Sequence, residues 1–187
     1  MLFRSAIHIG LTARVAAHES KQARVDGGER EIASRAWRKF EQAAEALDQA
    51  DEAEDFQAVG MRLREALIAF VQEIGAPAMV TPGETAPQRS NVKSWMGLIC
   101  QAIAAGGHNE QVRSYLRKTA DETWDLVNWL THASNASRFD GIIALDATSS
   151  LLATFSMAVI RHEDLDKPLE FNLCEACGWQ QLTERAR

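Results

Sequence analysis

The chain has 187 residues, 46% apolar and 25% charged, a balance ordinary for one globular domain with additions and unlike that of a disordered chain. Its formal net charge of −6 excludes a broad basic face for nucleic acid, although it leaves room for a local basic cleft. Residues 141–160 are apolar but interrupted by Asp146, Thr148, Ser149, Ser150, Thr154 and Ser156, which points to a buried helix and to no membrane partner.

In chain order, the first eighteen residues hold Arg4 and Arg14 and no acid, yet lack the unbroken apolar run of a secretory signal. Residues 1–28 are expected to form a poorly anchored helix. The segment EREIASRAWRKFEQAAEALDQAD sets Ile32, Ala36, Phe40, Ala43, Ala44 and Leu47 at helical spacing, before an acidic, helix-starting DEAED. In the next helix Phe56, Val59, Gly60, Leu63, Leu67, Phe70, Val71 and Ile74 keep the i, i+3, i+4, i+7 pattern, and Gly75 with Pro77 ends it. GAPAMVTPGETAPQRSN holds three of the four prolines and must be a long connection, of the kind that is often functional or mobile.

A third helix is predicted over 92–105, with Val92, Trp95, Leu98, Ile99, Ala102 and Ile103 inward and Gly106-Gly107 closing it. The fourth starts near Asn109 as N-cap, with Glu110 in its first turn and a core stripe of Val112, Tyr115, Leu116, Thr119, Leu126, Val127 and Leu130. The fifth runs over about 139–161 and is apolar nearly all round, which places it in the middle of a bundle or at a second subunit. Strand signals are nearly absent. The expected fold is therefore all-α: an antiparallel bundle of four to five helices over residues 29–165, with a short irregular tail over 166–187.

On the fourth helix, at about 100° per residue, Arg117, Asp121, Asp125, Asn128 and His132 fall in a narrow stripe opposite the core positions. A solvated face is the plain explanation. Trp124 and Trp129 flank the stripe, however, and large aromatics turned from the core point to a second covered surface, against either a subunit or a ligand. In such a setting Asp125 could orient His132 for proton transfer and Asn128 could donate to a phosphate or ribose oxygen. His132 could equally complement the negative end of the helix dipole.

The helix end LVNWLTHASN, the polar break ASRFDG and the long helix IIALDATSSLLATFSMAVI resemble the HEPN superfamily of small helical bundles, named for higher-eukaryote and prokaryote nucleotide-binding domains. Many members of that family are dimeric, metal-independent ribonucleases, several in bacterial defence and toxin systems, and others only bind or scaffold. The resemblance implies His132 at the position of the family histidine and Asn128 at that of its upstream polar residue, which is usually Arg. It further implies attack of an RNA 2′-hydroxyl on the adjacent phosphate with His132 as acid or base, and Arg138 or Arg117 as the source of positive charge. The contrasting expectation is a non-enzymatic helical module for protein–protein contact. Both expectations include a homodimer along the last helices.

Three cysteines form no even disulfide framework, and a reducing cytoplasm fits them best. Cys174 and Cys177 make a CxxC followed by Gly178, the pattern of one zinc-ribbon knuckle and so half of a structural zinc site. The remaining ligands could come from His162 and another residue, or from the same pair in a second subunit. An inert tail or, less in keeping with the absent βαβ pattern, a redox pair are the alternatives. Cys100 is expected in the core.

Overall fold

The computed structural model describes Gly28, residues 30–166 and two short strands, with side chains described up to His162. Among the described residues, five long helices follow in order: α1 (Ser34–Asp48), α2 (Ala53–Ile74), α3 (Val92–Ile103), α4 (Glu110–His132) and α5 (Arg138–Asp166). The all-α reading stands for the domain. The tail read as irregular carries a short antiparallel ladder, in which β1 (Phe171–Leu173) pairs with β2 (Gln180–Leu182). Three-residue strands are too short for period-2 alternation to announce them.

The middle of the molecule is α2, which packs against α1, α3, α4 and α5. All eight of its predicted core positions are buried, from Phe56 to Ile74, together with Ala66 and Ala69. At its start the Asp55 carboxylate accepts from the backbone N–H groups of Asp51 and Glu52, each at 3.1 Å, closing a capping box with Glu52. Those two bonds hold the Asp55 carboxyl below its ordinary range. At Gly60 the helix meets α4 so closely that a Cβ would stand 2.9 Å from the Thr131 backbone nitrogen.

No side chain of its own caps either end of α1. Instead Glu73, from the last turn of α2, accepts from the backbone N–H groups of Arg35 and Ala36 at 3.0 Å each. A carboxylate there satisfies orphan donors and faces the positive end of the helix dipole. The apolar pattern of this helix predicted Ala36, Ala43 and Leu47 correctly, while Trp37 is also buried and packs edge-on against half-buried Phe40.

The long connection before α3 is held down. Its Met79 and Val80 pack on the core, and the Trp95 indole N–H donates to the Gln88 carbonyl at 3.2 Å. Asn91 caps α3 by accepting from the Ser94 N–H, and Gly106, at φ +85°, turns the chain toward α4. Asn109 does not cap α4 as expected: its amide donates to the Ala105 carbonyl at 2.8 Å. Val112 and Tyr115 also depart from the expected stripe, since both are exposed. Only Leu116, Ala120, Thr123, Val127 and Leu130 of α4 are buried.

The last helix is two-sided. Ala144, Thr148, Leu151, Leu152, Phe155 and Val159 are buried, whereas Phe139, Ile142, Ile143 and Met157 are exposed. By length and composition Arg138–His162 is apolar enough to cross a membrane, a test the sequence reading had it fail. Its inner face packs against α1, α2 and α4, so part of that apolar content serves the core.

Candidate functional site

On the polar stripe of α4, Arg117, Asp125 and His132 are exposed and Asp121 and Asn128 half-buried, and one of the five is paired across to α3. Asp125 forms an ion pair with Lys93 of α3, at 2.7 and 2.8 Å to its two oxygens. That bond holds the Lys93 ammonium above its ordinary range, with Asp121 and Glu122 adding to it. The Arg117 guanidinium carbon would lie 3.9 Å from a Cβ on Gly97, an ordinary contact, so this side chain runs beside α3. Beyond Gly97 on α3, Cys100 is buried and its thiol is pushed up to about 11 by desolvation, which makes it inert core at neutral pH.

Helical rise then sets what can meet His132. Arg117 lies fifteen residues earlier on α4, roughly 22 Å along the axis, and Asp125 roughly 10 Å. Asn128 is one turn away, at roughly 6 Å along the axis, and is half-buried, while His132 is exposed in the final turn. Thus the geometry brings Asn128 near His132 and keeps Arg117 away. Asp125 is engaged by Lys93 and does not orient the histidine.

The other candidate cation is engaged within the fold. Arg138, the first residue of α5, donates to the carbonyls of Ala50 at 3.1 Å and Asp48 at 3.5 Å, at the C-terminal end of α1. A guanidinium there meets orphan acceptors and the negative end of that helix. Of the candidate residues on α4, Asn128 alone lies within one turn of His132. An amide in that position brings no positive charge to a phosphate.

Protein-family models, curated proteins and solved structures were each compared with the chain, and none matches it.

Of the two flanking tryptophans, Trp124 is half-buried, with the Arg64 guanidinium 5.6 Å from its ring centre. Trp129 is exposed. The uncovered apolar surface that the stripe reading missed lies on the first turns of α5, where Phe139 is 69% exposed and Ile142 and Ile143 are each 42% exposed. Its sequence signal was the apolar circumference of that helix. Among the described residues no three His, Cys, Asp or Glu side chains group as metal ligands. Cys174 and Cys177 lie outside the described residues, as do most of residues 1–28 read as a loosely held helix.

Proposed function

We propose that this protein is a non-enzymatic helical module for protein–protein contact that acts as a homodimer. The observation that carries the reading is the exposed group Phe139, Ile142 and Ile143, within two turns of one helix. Scattered apolar side chains are normal on a monomer, but three large ones grouped on one rigid element favour an interface. The finer architecture proposed is an antiparallel bundle of five helices of the HEPN type. In its support, four residues join α1 to α2 and five join α4 to α5, short connections that return the chain beside itself.

Ribonuclease action is the competing outcome, since His132 is exposed with Asn128 one turn before it. In the module, purified protein incubated with total RNA leaves the RNA intact, and so does a His132→Ala variant. A product made by the native chain and abolished by His132→Ala, on gels run over a range of pH, would overturn the module in favour of the enzyme.

A structural zinc in the tail belongs to the same proposal. Leu173 pairs with Gln180, and the sequence between these two partners contains both cysteines of the CxxC. Two thiolates are half of a tetrahedral set, and a second subunit supplies the other half. Metal analysis is then expected to find about one zinc per two chains, and none in Cys174→Ser; equal metal content in both proteins removes the site.

A further inference from the structure

Seven of the eight large apolar side chains exposed among the described residues lie on α4 and α5, which concentrates the uncovered apolar surface on two neighbouring helices. On α5 that surface is ordered. At about 100° per residue its buried positions, from Gly141 to Val159, gather on one side, and Phe139, Ile143, Asp146, Ser150, Ala153 and Met157 form a stripe on the opposite side. Five of these six are exposed and Ala153 is half-buried. The steps along the stripe alternate between four and three residues, the spacing of a coiled-coil seam.

Asp146, the one charge on the stripe, decides how two copies of it can meet. In a parallel pair each residue faces its own copy, so two carboxylates stand in contact and repel. An antiparallel pair with its two-fold axis level with Thr148 removes that contact. Phe139 then faces the partner's Met157, Ile143 the partner's Ala153 and Asp146 the partner's Ser150, and the symmetry makes each contact twice. A thioether at a ring edge is favourable, and so is a serine hydroxyl that donates to a carboxylate. The two Asp146 side chains are now offset by four residues, roughly 6 Å along the axis. Sliding one helix by a heptad either way sets Asp146 on Ile143 or on Met157, where it loses water and gains no donor.

We infer, resting on the homodimer proposed above, that a second copy packs its α5 antiparallel along this stripe, in the register that sets Asp146 beside the partner's Ser150. Apolar contacts at the two ends supply the burial, and the polar pair at the centre selects direction and register. The short side chains of Ser150 and Ala153 let the two helices approach closely there.

Two single variants of the full chain, Asp146→Cys and Ser150→Cys, test the register; both positions are exposed, so neither change disturbs the core. Sedimentation of the native chain and of each variant first reads whether a dimer forms. The two variants are then mixed, left to exchange subunits and mildly oxidised, and disulfides are identified by mass spectrometry of peptides. Each chain carries one introduced thiol, so a 146–150 disulfide joins two copies. It is expected in roughly tenfold or greater excess over the 146–146 and 150–150 disulfides, whose Cα atoms stand beyond bonding reach in this register. An excess of 146–146 or 150–150 reports a parallel pair and overturns the inference. A dimer that forms none of the three also overturns it, while leaving the homodimer standing. A native chain that sediments as a monomer removes both.

Discussion

A Gly60→Leu variant is expected to lose about 2–4 kcal/mol of stability, at the upper end of what overpacking costs, and roughly 5–15 °C in Tm. Glycine inside a helix is itself unfavourable by about 1 kcal/mol relative to alanine, so its place in the middle of α2 needs a physical reason. The reason is α4. A Cβ at Gly60 would lie 2.9 Å from the Thr131 nitrogen and 3.1 Å from both the Leu130 carbonyl carbon and its Cγ. Two of those atoms are backbone and cannot rotate aside, so the two helices must part. Parting them opens the core around Val59, Leu63, Val127 and Leu130, each wholly buried. Gly60→Ala sets the same clash against a propensity gain of about 1 kcal/mol and is expected to remain destabilising. Thermal unfolding followed by circular dichroism checks both variants, and a Gly60→Ala protein with an unchanged or raised Tm would refute the close approach. Gly141 is a useful contrast. Its Cβ would meet the Leu47 Cδ1 at 2.6 Å, but that is the tip of a side chain that can turn away.

The second large effect concerns association. Phe139→Glu combined with Ile142→Glu is expected to convert the proposed dimer to monomer, weakening association by roughly a hundredfold or more. A carboxylate in the centre of such a contact must be stripped of water without gaining a partner, whereas on the monomer it stays solvated. The monomer's own stability is accordingly expected to change by less than about 0.5 kcal/mol, because neither side chain is part of the core. Sedimentation or light scattering across a concentration series reads the first effect, and thermal unfolding at low concentration reads the second. A native chain that is monomeric at every concentration sinks the homodimer. A dimer that persists in the double variant moves the interface elsewhere.

The apolar spacing of α2 named eight of its ten buried positions, missing only Ala66 and Ala69, because that helix packs against four others and periodicity and burial nearly coincide. On α4 the same count overreached at Val112 and Tyr115, since α3 and α5 leave the first turns of that helix uncovered. The stripe from Arg117 to His132 was correctly placed opposite the buried positions. Its meaning was not legible, because the group that answers Asp125 is Lys93, thirty-two residues away on another helix. Likewise Arg138 was read as a charge for phosphate, and only the fold shows its guanidinium on the carbonyls of Asp48 and Ala50.

By itself, then, the sequence determined that the chain folds as helices, where each helix lies, and which residues form the central face of α2. Those features are local: they depend on spacing along one helix and on prolines and glycines that interrupt it. Only the tertiary structure decided how both ends of α1 and the end of α3 are satisfied. Glu73 closes the start of α1, Arg138 its end, and Arg113 the end of α3, where it donates to the carbonyls of Ala104 and Gly106 at 2.7 and 3.1 Å. Each helix end leaves orphan backbone groups that any suitable side chain within reach can satisfy. Which one does so depends on the packing of elements distant in sequence. That packing also engages Arg138 at the end of α1 and, among the described residues, leaves the apolar turns of α5 facing outward.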